Sequence, residues 1–333
     1  MIIVSKQILS SQQLKKKLLD YNFNFNDDDF FRLEKLGFFH VVNSLVPSTE
    51  RKNSRVKNLV DYLIIYDLDK ELRGHLFPMI VELEGVFKQR LKDVLVDTIK
   101  FNGSINSSHN EVIKFCIQDK HIISAKKTFY GCTNKKSRII EHYFKNFNEI
   151  PIWAYMELLS LNEFINFIGY THDTIQNNRT NVQEKFVKKC GYEDSQGVLI
   201  KFKIGADAII QTLRLLKEVR NNIAHNQQII DNRALDNIEL NYPGISSTVK
   251  IIGEKCNSSV TYVGDFEYKK ITDFIVLVYI NYIYIIGNDK LSSNLLGFID
   301  HNIINNISGL NQIIVSKIFG NNYLQKFTYI KDL

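Results

Sequence analysis

The chain has 333 residues with a formal net charge of +6, and 44% of its residues are hydrophobic against 23% charged. That balance is ordinary for a soluble globular protein and leaves ample capacity for a core. Four scattered cysteines with no Cys-x-x-Cys and no neighbouring His at ligand spacing exclude a zinc site of that kind and read as reduced cytosolic thiols.

Four prolines favour helices over a turn-rich β architecture. The start, Met1-Ile-Ile-Val-Ser-Lys6, lacks the charged region and long apolar core of a signal peptide, so a cytoplasmic protein is expected. Ser10-Ser-Gln-Gln13 has the Ser-x-x-Gln form of a capping box and opens a helix through Leu19. Asp27-Asp28-Asp29 charges the start of a second helix, Phe30 to Phe39. Pro47 to Asn53 is a polar connection, and residues 1–55 read as a helical arm packed on the domain formed by residues 56–333.

From Val56 to Lys100 the pattern is helical throughout. Leu59, Tyr62, Leu63 and Tyr66 make one face, and Leu83, Val86, Phe87, Leu91 and Val94 another. Gly74, Pro78 and Gly85 are expected to bend or interrupt it. Asp67-Leu-Asp69 can be read as a metal-binding D-x-D, but first-turn carboxylates leading Lys70 to Arg73 into a helix is the preferred reading. Phe101 to Asn110 is a loop by composition. Lys126 to Arg138 is basic with aromatics interleaved: Lys126, Lys127, Tyr130, Lys135, Lys136 and Arg138 either hold a phosphate backbone and a stacked base or form a solvated loop. Pro151 opens a helix, and Trp153, the only Trp, reads as a core anchor. Arg179 to Lys189 is amphipathic. Thr248 to Ile252 and Ser259 to Val263 alternate like a small β-hairpin. Phe274 to Ile286 is apolar over about 13 residues, too short for a membrane span, and reads as a buried helix.

One stretch carries chemistry. Ile209, Leu213, Leu216 and Ile223 fall at helical spacing, which places Arg220-Asn221-Asn222-Ile223-Ala224-His225 on or at the end of a helix. A five-residue step rotates about 140°, so Arg220 and His225 lie on different faces, while Asn221 and His225 share one. The set offers a fixed cation that grips phosphate and a group that titrates near neutrality. RNA carries its own nucleophile, the 2′-hydroxyl; a histidine can take its proton or protonate the leaving 5′-oxygen. Arg220 would stabilise charge on the non-bridging oxygens. The chain supplies one such His, and a two-fold dimer would supply the second. The plainer alternative is an exposed Arg and a hydrogen-bonded His at a helix end.

Several separated pieces resemble the Abi-like proteins of bacterial abortive infection, the AbiD/AbiF group. They are Leu33-Glu-Lys-Leu-Gly-Phe-Phe39, Tyr66-Asp-Leu-Asp-Lys-Glu-Leu-Arg73, Leu83-Glu84 with Lys88, Pro151-Ile-Trp-Ala-Tyr-Met-Glu157, and Arg220 to His225 with Asn232-Arg233. The resemblance implies the HEPN superfamily: an all-α helical bundle, here with an N-terminal helical arm and the hairpin, which typically dimerises. Many members are metal-independent ribonucleases without a cofactor, and this makes Arg220, Asn221 and His225 the expected catalytic set, supported by Glu84, Lys88 and Arg73. Two positions depart from the family pattern: Asn162 replaces a frequent Gly, and Lys88 replaces an Arg. The expected function is an RNA-cleaving, cytoplasmic anti-phage protein. One alternative is a silent protein holding a structured RNA; another is a partner-binding bundle in which the motif knits a dimer interface.

Overall fold

The computed structural model describes residues 9–43, 56–103, 108–133, 138–172, 181–200, 208–230, 242–262, 266–267 and 270–333. Among these the protein is all-α. The helices are α1 (Ser11–Asp20), α2 (Asp27–Leu36), α3 (Leu59–Phe101), α4 (His109–Cys116), α5 (Ile122–Thr133), α6 (Arg138–Phe147), α7 (Ile152–Leu158) and α8 (Leu161–Tyr170). They continue as α9 (Val182–Lys189), α10 (Ala208–Ala224), α11 (Tyr242–Cys256), α12 (Ile271–Ile285), α13 (Lys290–Phe298), α14 (Asn305–Ser308), α15 (Gln312–Phe319) and α16 (Tyr323–Asp332). The strands β1 (Phe23–Asn24) and β2 (Lys57–Asn58) pair in parallel, Phe23 opposite Lys57.

The expected capping box is present: the Ser10 side chain accepts from Gln13 N, and the Gln13 side chain accepts from Ser10 N. Asn26 rather than an aspartate caps α2, which satisfies one of the orphan amides of its first turn. Leu14, Leu18, Phe30 and Leu33 from these two helices bury against Leu59, Tyr62 and Leu63 at the start of α3. Arg32 donates to Asp67, which ties the second helix to the third.

The long helix α3 is the spine. It runs unbroken through Gly74, Pro78 and Gly85, so the expected interruption does not occur. Its 43 residues span about 65 Å at the α-helical rise. Packing along its length offsets the lost hydrogen bond at Pro78: α4, α7, α9, α10, α12 and α13 all lie against it. The reading of Asp67-Leu-Asp69 as a helix start is therefore also corrected, because both residues sit well inside α3.

The hairpin expected at 248–263 does not form among the described residues: its first half lies in α11. Ile245, Val249 and Ile252 are all buried at the i, i+4, i+7 spacing of one helical face, and they pack on α12. Burial on that face outweighs the weak β preference of a short β-branched run. The apolar stretch is a buried helix as expected, with every residue from Ile271 to Ile283 buried. No described helix is long and apolar enough to cross a membrane.

At Gly253 on α11, a Cβ would stand 1.6 Å from the Tyr329 hydroxyl of α16. Gly253→Ala is expected to push these helices apart at a cost of about 1–3 kcal/mol. A chemical-denaturation midpoint equal to wild type would show that Tyr329 swings away freely.

Candidate functional site

The apolar stripe of α3 is interrupted twice by a buried ion pair. Asp69 and Arg73 sit between Leu68 and Leu76, and Glu84 and Lys88 between Leu83 and Leu91; both are i,i+4 ion pairs, at 2.9 Å and 2.7 Å. All four side chains are at most 14% exposed. Ion pairs so placed are costly to desolvate unless further polar partners complete them. Each pair finds such partners in the motif region or beside it.

Lys88 Nζ donates to the carbonyl of Leu159 at 2.6 Å, at the junction of α7 and α8. Glu84 faces Arg220 of α10, with Oε2 3.9 Å from Arg220 Nε. Arg220 Nη1 donates to Asn221 Oδ1 at 3.2 Å. The start of the eighth helix is tied to α10 as well, since Lys217 Nζ donates to Asn162 Oδ1 at 3.3 Å. Asn162, the departure from the expected glycine, therefore has a use here.

Beyond Arg220 the helix ends in a left-handed turn. Asn226 has φ +53°, Asn226 N donates to Ile223 O, and Gln227 N donates to Asn222 O. This is the paired bonding of a Schellman end, with asparagine where glycine is usual and His225 as the last residue before it. The second ion pair of the spine fastens this turn. Arg73 Nη1 donates to Asn226 Oδ1 at 2.7 Å, and Asp69 Oδ1 accepts from the amides of Ile229 and Ile230 at 2.8 and 2.9 Å. The chain from Arg220 to Ile230 thus runs down α3 against its direction, from Glu84 to Arg73 to Asp69.

Of the predicted set, Arg220, Glu84 and Lys88 come together, and Asn221 joins through Arg220. Arg73 does not stand with Glu84, being eleven residues and about 16 Å along the helix; it anchors the turn next to His225 instead. His225 is exposed, and Asn221 is half-buried. Arg220 Nε and Asn222 Nδ2 are buried, and among the described residues neither makes a hydrogen bond. A buried polar atom left this way calls for a partner from outside the fold, a water, an ion or a ligand. Both are donors, matched to acceptor oxygens such as those of a phosphate.

Lys126 and Lys127 are exposed on α5, which packs mainly on α8, α4 and α7 rather than on α10. Tyr130 belongs to the same helix, and Arg138 is exposed at the start of α6. Lys135 and Lys136 lie outside the described residues, as do the 47–53 connection and Asn232-Arg233. Among the described residues no three His, Cys, Asp or Glu side chains converge as metal ligands. In the D-x-D, Asp67 is taken by Arg32 and Asp69 by Arg73 and two amides.

Sequence reasoning missed Asp69, Asn222 and Asn226. A charged i,i+4 pair within an apolar stripe is the signal for Asp69 and Arg73, and an Asn just past a helix end is the signal for Asn226. Trp153 was expected in the core but is 42% exposed. Ile152, Tyr155, Met156 and Leu159 are buried at i, i+3, i+4 and i+7, and they leave Trp153 on the outer face of α7.

An all-α chain whose central helix clamps an Arg-to-His helix end at two points defines the class. The chain belongs to the Abi-like protein family, which it matches over residues 29–231. The family is linked to abortive infection, a defence against phage. Every residue of the clamp falls inside the matched stretch. No curated protein and no solved structure matches the chain.

Proposed function

We propose that the end of α10 is a metal-independent endoribonuclease site used in abortive infection, in which an RNA 2′-hydroxyl attacks its own phosphate. The observation that carries this reading is the double attachment of the motif to α3. Glu84 and Asn221 orient the Arg220 guanidinium, leaving Nε–H and the Asn222 amide as donors without acceptors among the described residues, while Arg73 and Asp69 fix the turn that presents His225. Preorganised donors of this kind stabilise charge that develops on a phosphorane. His225 serves as general base or acid. Arg220 and His225 lie on different faces of one helix, so the proposed functional unit is a homodimer. Its two-fold axis brings two exposed imidazoles to one cleft and supplies the proton donor and acceptor that the reaction needs.

The test is incubation of purified wild-type and His225→Ala protein with mixed RNA in EDTA. Wild type is expected to release 2′,3′-cyclic phosphate ends, and the variant to be slower by about 10²- to 10⁴-fold, the usual contribution of a general acid–base group. Equal cleavage by both proteins would remove the assignment. A discrete RNA retained by both, with no cleavage, would favour the RNA-holding alternative, in which Arg220 remains engaged by Glu84.

A further inference from the structure

We propose that Gln228 is a base-reading residue, whose side-chain amide pairs with the edge of an adenine next to the phosphate held at the end of α10. The inference rests on the reading that this end is an RNA site, and it names the part of the substrate that sets the site's preference. Among the described residues, Gln228 is the one side chain whose two polar atoms, Nε2 and Oε1, are both buried without a hydrogen bond. An amide left so has given up its bonds to water and regained none in the fold. A donor and an acceptor side by side call for one partner that carries the reverse pair. The chain puts this amide at the site. Gln227 N donates to Asn222 O at 2.8 Å, which folds the backbone of Gln228 back towards Asn222. Gln228 follows His225 by three residues, at most about 11 Å of chain. It is held on both sides, through Asn226 by Arg73 and through the amide of Ile229 by Asp69. Arg220 Nε, Asn222 Nδ2 and both polar atoms of Gln228 are thus buried and unpaired within residues 220–228.

Hydrogen-bond chemistry selects the occupant. A phosphodiester offers only acceptors, which suit Arg220 and Asn222 but satisfy only half of the Gln228 amide. A nucleobase edge offers donors as well. On the edge that carries N7 in purines, guanine has two acceptors, cytosine only a donor and uracil only an acceptor. Adenine alone sets one donor, the N6 amine, beside one acceptor, N7, and a glutamine amide meets both at once. In a single strand that edge is open to a side chain. Gln228 is itself half-buried, while Ala224, His225, Asn226 and Gln227 before it are exposed. The amide therefore lies just beneath the surface that presents His225, and rotation about its side-chain bonds turns it outwards.

Full-length His225→Ala protein, which should not degrade the probes, is titrated with labelled oligoadenylate and oligouridylate of equal length. The double variant His225→Ala/Gln228→Met is titrated in the same way, methionine having similar length but no amide. The first protein is expected to prefer oligoadenylate, and Gln228→Met to cut the ratio of the two affinities about 5- to 150-fold, the effect of one bidentate pair. Comparing ratios removes any difference that belongs to the oligonucleotides themselves. The melting temperature of the double variant is expected to equal or exceed that of His225→Ala, because the substitution removes a buried amide with no partner in the fold. An affinity ratio equal in the two proteins would overturn the proposal. So would a preference for oligouridylate, binding of neither probe, or a lower melting temperature, which would mark Gln228 as structural. Wild-type cleavage with an unchanged ratio would remove the adenine contact and leave the catalytic reading intact. A ratio that falls as expected, without wild-type cleavage, would do the reverse.

Discussion

Replacing Asp273 with asparagine is expected to destabilise the folded protein by about 3–5 kcal/mol at neutral pH, the range for stranding one member of a buried ion pair. Its partner, Lys326 of α16, is fully buried, with Nζ 2.7 Å from Asp273 Oδ1. The other carboxylate oxygen accepts from Glu267 N at 2.9 Å. An asparagine has one oxygen for these two donors, and its amide nitrogen must point at one of them. Glu267 lies 3.9 Å from Lys326, beyond hydrogen-bond reach, and accepts from the amide of Asn321, so it offsets only part of the lost charge. Replacing both partners, Asp273→Leu with Lys326→Met, should restore most of the loss, because an apolar pair of similar volume needs no desolvation. Urea denaturation of the three variants checks this; a double variant no better than Asp273→Asn would mean that packing rather than charge is at stake.

The same pair carries a pH dependence of definite sign. Burial pushes the Asp273 carboxyl up to about 6, against the pull of Lys326 and the Glu267 amide. Glu267, Lys270 and Lys326 are the charged groups around it. Between the unfolded value near 3.8 and about 6, the folded state holds a proton that the unfolded chain has released. The contribution of this group to stability therefore falls as pH rises through that window and is constant above it. The stability gap between wild type and Asp273→Asn should be widest near pH 4 and narrow towards pH 6. A gap that widened with rising pH would contradict this assignment.

Asp69→Ala is expected to cost a similar amount, about 3–5 kcal/mol, for a different reason. It leaves the Arg73 guanidinium buried beside no carboxylate, and it removes the acceptor of two buried amides, Ile229 and Ile230. Unpaired buried amides cost about 1–3 kcal/mol each before relaxation. The damage should be local first: hydrogen exchange at Ile229 and Ile230 is expected to accelerate far more than exchange in α12. The proposed cleavage should fall with it, since His225 loses the fixed turn behind it. Exchange rates at 229 and 230 that stayed at wild-type values would show that the turn is held by other contacts.

Much of this architecture was legible in the sequence. The capping box at Ser10 and Gln13, the run of apolar residues that became α12, and the helix ending at Arg220 to His225 all followed from local pattern. The differences share one cause: local propensity takes no account of the packing partner. Thr248 to Ile252 reads as a strand only if Ile245 is left out of the stripe. Trp153 reads as core only if residue type is preferred to the spacing of Ile152, Tyr155, Met156 and Leu159. Asp69 looked like a helix start because its partners lie 160 and 161 residues away, a separation that no local pattern reveals. The same holds for the facing of Glu84 and Arg220, which the family resemblance implied and the geometry supplies.

The placement of α12 has a consequence for how the chain can be divided. The family match ends at residue 231, yet α12, which follows it, is enclosed on every side and packs directly on the spine that holds the motif. A boundary drawn at 231 would cut through a shared interior rather than between two units. The segment beyond it is part of the foundation of the site, and a fragment that keeps every motif residue would still lack one wall of the building.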